Sequence, residues 1–510
     1  MTHGPQRFPM SEKSIIIIGG GIGGLSAGCY GQMNGFRTRI FEMHKKPGGL
    51  CTSWKRQGYV VDGCIHWLVG SRPGSGFHHI WRDLGALVNK TIIYHEEFGR
   101  IEGADGKTFI VHSNIDKLEQ HMKEIAPEDG VVIDEFISAV RRCTRYEPPL
   151  EKAAEMAGLL DLLKIVFTKF PLLRMLWKWN KVSLRDFGMR FKNPLLRESF
   201  PLMFVPDFPM FFILMTLAWM HNGMAGYPLG GSLEFSRSIE KRYGALGGEM
   251  LYRARVAKVL TEKGRAVGIR LVDGTEHRAD YVISAADGHA TIFEMLEGKY
   301  LDDMIRGYFE TLIPFPAVVY VALGVNRIFN DLPSSAGGMA IMLQQPVMVG
   351  GMEHAYLKVH IFNFDPGLAP DGRTLITVMI HTDFDYWQNL RVHEEQYRAE
   401  KEKVADAVVA ILDKRFPGLA KQVEMRDVAS PTTFVRYTGN WKGSFEGWQI
   451  TPKTWSFGRS MRKTLPGLEN FYMAGHWVEP GGGLPAVALS GRNVIQIICK
   501  KEKKKFTTTK

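Results

Sequence analysis

The chain has 510 residues, of which 45% are hydrophobic, so it is long enough to bury two or three domain cores. Its five cysteines are few and irregularly spaced, which argues against a disulfide framework or a metal site and favours a reducing compartment. The formal net charge of +11 is concentrated in Leu159 to Lys181 and Lys500 to Lys510 rather than in a recognisable nucleic-acid-binding module, so we expect no nucleic-acid partner.

A strand followed by a glycine-rich turn begins the first predicted unit. Ile15 to Ile18 form a continuous apolar run, which is typical of a strand buried on both faces. The pattern G-x-G-x-x-G follows directly, with Gly19, Gly21 and Gly24 at its fixed positions and Gly23 between them. The first glycine allows a tight turn, the second lets a pyrophosphate approach the backbone, and the third lets helix and strand pack closely.

A helix and a second strand complete this unit. Helical periodicity runs from Ile22 to Asn34, and Phe36 to Phe41 is predicted as a strand that ends at Glu42. The helix N-terminus favours the charge of a phosphate, and a carboxylate at position 42 can accept hydrogen bonds from both ribose hydroxyls. These parts in register predict a dinucleotide site, and a glycine turn that binds nothing is the alternative.

Two further segments reveal a family resemblance. A glycine pair, Gly48 and Gly49, follows soon after the acid, and the sequence GYVVDGCIHW runs from Gly58 to Trp67. GGGIGGL, the acid, PGGL and GYVVDGCIHW together resemble the flavin-dependent phytoene desaturase and carotenoid isomerase family, within a fold group that includes amine oxidases and Rab GDP-dissociation inhibitors. The resemblance implies FAD at the first glycine turn. It also implies an α/β fold, in which a Rossmann-like, glutathione-reductase-like FAD-binding domain carries a discontinuous α+β substrate domain.

The segment 155–220 is predicted to be helical. Leu159 to Trp179 alternates leucines and aromatic residues with basic residues, which fits a helix pair lying in a membrane interface, with Trp177 and Trp179 at headgroup depth. A helix pair packed on the core is the alternative. Pro201 to Met220 is rich in Phe and Met and fits either a tunnel for a long apolar ligand or ordinary core.

The expected localisation is cytoplasmic, either free in solution or at the inner face of a membrane. The N-terminus lacks the apolar stretch of a signal peptide. The longest apolar run, Met210 to Met220, has about half the length that spans a bilayer.

Turns and strands from residue 226 onward resemble the family's second cofactor segment. A turn cluster at Gly226 to Gly231 precedes a predicted helix, Leu233 to Tyr243, and strands follow up to Ser284. The resemblance implies that the backbone of Val256 contacts adenine. A plain β-meander without a ligand is the alternative.

A second sheet is predicted between Phe315 and Thr382. Its strands are three apolar runs, Ala317 to Val325, Tyr356 to Phe364 and Thr374 to Thr382, and the charged helix Val392 to Phe416 covers it. We assign this sheet to the substrate domain. Thr432 to Trp448 is a loop rich in Gly and Trp, without a catalytic pattern.

A strand, a small-residue turn and a helix form the last predicted unit. Leu468 to Trp477 leads to the turn, and glycines from Gly481 open a helix that can place amides against a phosphate or a flavin carbonyl. In the family this block closes the site over the flavin, although His476 and Trp477 stand where an acidic residue is usual. The resemblance implies that the FAD-binding residues are Gly19, Gly21, Gly23, Gly24, Glu42, Met43, Gly48, Gly49, Leu50, Val256, Ala285, Gly475, Gly482, Leu484 and Ala486.

The resulting domain prediction is discontinuous. Residues 10–95, 226–295 and 440–510 form the FAD-binding domain, and residues 96–225 and 296–439 form the substrate domain.

One dinucleotide pattern is complete, and no other catalytic motif competes with it. We therefore expect an FAD-dependent oxidoreductase that desaturates, saturates or isomerises carbon–carbon bonds of a carotenoid, a retinoid or an unsaturated lipid. His66, His476 and Glu479 are the candidates beside the flavin ring, and for His66 a structural role is the alternative. Electrons pass to an acceptor that docks transiently, or the reaction is redox-neutral. An amine oxidase-like flavoenzyme and a non-catalytic prenyl- or lipid-binding protein are the alternative functions.

Overall fold

The computed structural model describes residues 12–148, 150–158, 161, 173–454, 461–481 and 483–508. The predicted FAD contact at Gly482 and most of the predicted membrane segment, Leu159 to Trp179, therefore lie outside the described residues.

The described strands are, in chain order, β1 (Ser14–Ile18), β2 (Arg37–Glu42), β3 (Ser53–Arg56), β4 (Tyr59–Asp62), β5 (Leu68–Val69), β6 (Ile92–Ile93), β7 (Glu97–Glu102), β8 (Thr108–His112), β9 (Ala225–Pro228), β10 (Glu249–Tyr252), β11 (Val256–Glu262), β12 (Arg265–Leu271), β13 (Glu276–Arg278), β14 (Tyr281–Ser284), β15 (Val318–Val325), β16 (Met339–Val349), β17 (Met352–Ile361), β18 (Thr374–His381), β19 (Val423–Ala429) and β20 (Phe471–Met473). The helices are α1 (Ile22–Met33), α2 (Gly76–Asp83), α3 (Ile115–Ile125), α4 (Gly130–Cys143), α5 (Leu184–Gly188), α6 (Pro194–Met203), α7 (Met210–His221), α8 (Gly231–Ala245), α9 (Asp303–Thr311), α10 (Phe384–Leu390), α11 (Glu394–Arg415), α12 (Pro431–Thr438) and α13 (Leu484–Lys501). Residues 173–180 are also helical.

A five-stranded parallel sheet carries the glycine-rich turn. Its strand order is β10-β2-β1-β14-β20, so β1 lies in the middle. Successive side chains of a strand point to opposite faces. Accordingly Ile15 and Ile17 pack among the helices α1 and α13, while Ile16 and Ile18 pack against the three-stranded sheet β11-β12-β13. This layered architecture confirms the predicted Rossmann-like α/β fold.

The second large sheet has seven strands, in the order β19-β15-β18-β17-β16-β7-β8. Its pairs are antiparallel except for β16 with β7. Helix α11 covers one face, where Val404, Val408 and Leu412 pack on Val321 and Val359. The opposite face is directed toward the segment that carries His66, as the ring contacts below show.

The described part of the helical region packs largely as core. The Phe/Met-rich run forms α7, in which Met210, Ile213 and Leu214 are fully buried against α4 and the segment 173–180. Trp179 is 3% exposed and its ring lies 5.5 Å from that of Phe187, so it cannot sit at headgroup depth, whereas Trp177 is 59% exposed. Across the described ranges, no helix combines the length and the apolar character that a bilayer crossing needs.

Most predicted elements exist with shifted ends, and several further elements were not predicted. The strands predicted between the helix Leu233 to Tyr243 and Ser284 are β10 to β14. Strands β7, β8, β16 and β19 and helices α9, α10 and α12 are among the elements that were not predicted. The domain boundaries stay a prediction.

Candidate functional site

The glycine-rich turn has the backbone geometry that its sequence predicts. Gly19 has φ +95°, which only glycine adopts readily, and its N–H donates to the Phe41 carbonyl at 2.8 Å. A Cβ on Gly24 would lie 2.0 Å from the Gly19 carbonyl oxygen. Helix α1 can therefore approach β1 this closely only with glycine at position 24.

Room for a pyrophosphate lies beside Gly21. A Cβ on Gly21 would lie 3.9 Å from its nearest neighbour, the Gly48 carbonyl oxygen. The Gly48 N–H donates to the Gly20 carbonyl at 2.9 Å, which ties the second glycine pair to the first turn. Gly21 is the N-cap of α1 and provides no side chain to bond the free N–H groups of the first helical turn. These groups fit a phosphate.

Glu42 is placed and held by the backbone around it. Its side chain is buried, Oε2 accepts from Gly20 N–H at 2.7 Å and Oε1 accepts from His44 N–H at 2.7 Å. Burial raises the pKa of this carboxyl, although the N–H donors of His44, Gly20 and Met43 oppose the shift. A carboxylate has about four acceptor positions, so capacity remains for ribose hydroxyls. Glu42 lines a cavity of about 1010 Å³ together with Gly49 and Leu50.

Two more predicted cofactor residues lie close to this turn. The Ala285 carbonyl oxygen would be 3.1 Å from a Cβ on Gly19, and the Ala285 N–H donates to Ile18 at 2.8 Å. Val256 begins β11, and two residues earlier the Ala254 N–H donates to the Glu42 carbonyl at 2.9 Å. The second cofactor segment therefore runs beside Glu42.

The C-terminal block meets α1 at the same place. A Cβ on Gly23 would lie 3.3 Å from Val487 Cγ1 and 3.4 Å from Gly475 Cα, and the Gly475 N–H donates to Ser490 Oγ at 2.9 Å. A Cβ on Gly475 would have no atom within 4 Å, so its turn borders open space. Leu484 and Ala486 occupy the first turn of α13, beside this opening. The chain thus provides the cradle that FAD requires, while the individual FAD contacts remain predictions.

His66 stacks on a histidine of the seven-stranded sheet. The ring centroids of His66 and His360 are 3.9 Å apart with an interplanar angle of 13°. His66 Nδ1 and His360 Nε2 are buried and have no hydrogen-bond partner among the described residues. Burial, assisted by the charge of Lys358, lowers the pKa of His66 to about 3, and burial and His66 lower that of His360 well below its usual value. Both imidazoles are therefore neutral near pH 7.

The loop before His66 is fixed by a buried carboxylate. Asp62 accepts from Ser232 Oγ at 2.6 Å and from the Cys64 N–H at 3.1 Å. Tyr320, in the middle of the seven-stranded sheet, donates its hydroxyl to the Asp62 carbonyl at 2.6 Å. Helix α8 and the seven-stranded sheet therefore hold the His66 loop between them.

The other two predicted catalytic residues have different surroundings. Burial lowers the pKa of His476 to about 4, so its ring is neutral as well. Glu479 accepts from Lys463 Nζ at 2.6 Å, and the same ammonium donates to Glu155 at 2.7 Å. The side chain of Lys463 is 1% exposed, and its burial is outweighed by the two carboxylates, which raise its pKa. This geometry favours a structural role for Glu479, while its predicted catalytic role stays a prediction.

Two titratable residues at the site escaped the sequence reasoning. Lys358 lies on β17, two residues before His360 and therefore on the same face. Burial raises the pKa of Glu446 to about 7, opposed by the backbone N–H of Gly483 at the start of α13. The sequence does contain a signal for each residue: Lys358 alternates with apolar residues in HAYLKVH, and Glu446 lies between glycines in GSFEG. In the described part of the chain, no three His, Cys, Asp or Glu side chains are grouped to hold a metal ion.

Comparison with known proteins agrees with this geometry. Residues 22–499 match the family described as flavin containing amine oxidoreductase. The chain is 26% identical to a chloroplastic prolycopene isomerase of Daucus carota over 497 residues, covering 94% of this chain and 79% of that protein. It is also 26% identical to a neurosporene-forming phytoene desaturase of Rhodobacter capsulatus, covering 95% of this chain and 93% of that protein.

Among solved structures, putrescine oxidase bound to putrescine has a TM-score of 0.59 at 14% identity, covering 96% of this chain and 100% of that chain. The resemblance and the fold class drawn from the sequence are confirmed, and the cofactor is FAD. The chain belongs to the flavin containing amine oxidoreductase family.

Proposed function

We propose that this flavin oxidoreductase acts on carbon–carbon bonds of a long lipophilic polyene or unsaturated lipid, by desaturation, saturation or cis–trans isomerisation. The observation that carries the proposal is the sheet face opposite α11, where neutral imidazoles stand among apolar side chains. The relatives whose names refer to prolycopene and phytoene align over almost the whole chain, which supports the same substrate class.

The composition of this face suits an apolar substrate. On β17 it presents Lys358 and His360, and the strand pairing places Ala340 of β16 and Met379 of β18 beside Lys358. On the facing side, Trp67 packs against Phe98 and Phe204 with centroid distances of 5.4 and 6.0 Å. Aromatic and thioether side chains favour contact with long unsaturated chains.

The same face is a poor match for an amine. An amine substrate is a cation at neutral pH, and Lys358 places a positive charge on the face that would receive it. Neither His66 nor His360 can compensate, because both are neutral. This disfavours the amine oxidase alternative. The open glycine cradle disfavours a purely binding protein, since such a protein does not need room for a pyrophosphate.

The chain's own groups supply position and protons. Bound FAD supplies two-electron hydride chemistry. Glu42 and the glycine turns hold its adenosine and pyrophosphate, and the stacked imidazoles of His66 and His360 exclude water and shape the substrate side. The Glu446 carboxyl keeps its proton up to about pH 7 and can deliver it to carbon. A saturation or an acid-assisted isomerisation needs such a proton.

We also propose that the enzyme works in the cytoplasm at a membrane surface, because its substrates partition into lipid. Trp177, which is 59% exposed, is the described residue that best fits such a contact.

The test is turnover by the FAD-loaded protein. The holoenzyme is incubated anaerobically with phytoene, prolycopene, retinol or retinoic acid in micelles, with a quinone as electron acceptor or dithionite as donor. Chromatography with mass detection follows products that lose or gain two hydrogens or that shift in retention at constant mass. Conversion of one polyene that depends on FAD supports the proposal. Oxidation of putrescine or benzylamine, or no conversion of any polyene by fully loaded enzyme, overturns it.

A further inference from the structure

Lys358 lies in the interior of the seven-stranded sheet. Its neighbours Leu357 and Val359 are 1% and 0% exposed and point into the core under α11, so Lys358 points to the opposite face with His360. Its cross-strand partners are Ala340 and Met379, neither of which can bond an ammonium. This face of the sheet therefore carries the Lys358 ammonium between two apolar side chains.

The side chain of Lys358 is half-buried. Burial lowers its pKa to about 8. The ammonium still carries its charge near neutral pH.

This charge has no counterion within the described ranges. Among the described residues, none forms an ion pair or a hydrogen bond with the Lys358 ammonium, and burial lowers its pKa. Instead its charge helps to lower the pKa of His66, His360 and His381. A buried charge without a partner is costly, so a ligand that pairs with this ammonium would remove that cost.

Unpartnered ring nitrogens occur on the same side of the sheet. Within the described residues, His66 Nδ1, His360 Nε2, His95 Nε2 and His354 Nε2 are buried without a hydrogen-bond partner, and His360 and His95 are each only 7% exposed. Buried polar groups are normally hydrogen-bonded, so the free nitrogens of the stacked His66 and His360 point to a polar group of a ligand. A neutral imidazole can donate one N–H, and an ammonium can donate three, whereas a carboxylate accepts up to about four hydrogen bonds.

We propose that Lys358, with the stacked imidazoles of His66 and His360, binds the carboxylate of the lipophilic substrate, which is therefore a long-chain unsaturated acid rather than a hydrocarbon. The inference rests on the proposed function and narrows its substrate class. A hydroxyl or carbonyl end would satisfy the imidazoles but would leave the ammonium charge unpaired. The carboxylate satisfies both.

The test compares an acid with its neutral ester on the same carbon skeleton. The FAD-loaded enzyme is titrated with all-trans-retinoic acid and with methyl retinoate, and binding is followed by perturbation of the flavin absorbance. We expect the wild type to bind the acid about tenfold to a hundredfold more tightly than the ester, as for a hydrogen-bonded ion pair. Lys358→Met should remove this preference while leaving ester binding unchanged, and Lys358→Arg should retain part of it.

A matched control comes from the surface. Lys241→Met removes an exposed lysine of α8 and should preserve the full preference for the acid. Equal binding of acid and ester by the wild type, or a preference that survives in Lys358→Met, overturns the inference.

Failure of this inference is distinguishable from failure of the proposed function. If phytoene or prolycopene is converted equally by the wild type and by Lys358→Met, and the acid has no advantage, the carboxylate site is refuted and the function stands. If the acid binds in a Lys358-dependent manner but no polyene is converted, the function is refuted and the site stands.

Discussion

Alanine at Gly24 and alanine at Gly21 should separate folding from cofactor binding. At Gly24 the new Cβ would lie 2.0 Å from the Gly19 carbonyl oxygen, more than 1 Å inside any ordinary contact of about 3.2 Å. Because that atom is backbone in the glycine turn, α1 must move away from β1. Overpacking of this kind costs about 1–3 kcal/mol, which corresponds to a fall in Tm of about 2–12 °C for a domain of this size.

At Gly21 the same methyl group meets no backbone. The residue has φ −69° and ψ 177°, which alanine adopts readily, and the nearest atom to its Cβ would be 3.9 Å away. The loss of a favourable N-cap residue costs at most about 1 kcal/mol. The methyl group would, however, occupy the space assigned to the pyrophosphate. We expect a nearly normal Tm for the cofactor-free protein and an FAD affinity lower by about tenfold or more, as for about 1.4 kcal/mol of lost binding.

Thermal unfolding by circular dichroism and FAD titration by quenching of flavin fluorescence measure the two quantities. The reasoning is refuted if Gly21→Ala binds FAD like the wild type, or if it lowers Tm as much as Gly24→Ala does.

Three further predictions concern stability and surface contact. Lys463→Met should lower the free energy of unfolding by about 3 kcal/mol or more, because the carboxylates of Glu479 and Glu155 lose the buried ammonium that pairs with both. A denaturation midpoint equal to that of the wild type would contradict this. The free energy of unfolding should fall between pH 6.5 and pH 4. Burial lowers the pKa of His66 to about 3, and burial together with the charge of Lys358 lowers that of His381 to about 4. In this range these histidines bind protons in the unfolded chain but not in the folded chain. Each such histidine contributes about 2 kcal/mol of this loss by pH 5, and His381→Leu should flatten the dependence measured by urea unfolding; an unchanged slope would count against it. Trp177→Glu should reduce flotation with anionic liposomes, and equal recovery of variant and wild type in the bound fraction would exclude this residue from a membrane contact.

The parts of the site that depend on local sequence could be predicted, and the parts that depend on contacts between distant segments could not. The unit from β1 to Glu42 depends on glycine spacing and on short apolar runs, which act within a few residues, and its elements were predicted to within one residue at most ends. The isolation of Lys358 depends on β16 and β18, whose pairing with β17 no local pattern specifies. The Glu479 carboxylate was predicted beside the flavin because nothing near it in sequence shows that Lys463 turns back to meet it.

The order of the parallel sheet has a consequence for biosynthesis. Strand β1 is made before the other strands of this sheet, its neighbour β14 comes more than 260 residues later, and β20 and α13, which complete the Gly23–Gly475 contact, come later still. The glycine turn therefore emerges from the ribosome long before the strands that hold it in place exist. The cradle beside Gly23 is complete only after the C-terminal block has been released and docked, so nascent chains must survive with an incomplete, apolar sheet edge. Pairing across such sequence distances is slow, which makes chaperone supply and flavin availability joint determinants of the yield of active enzyme.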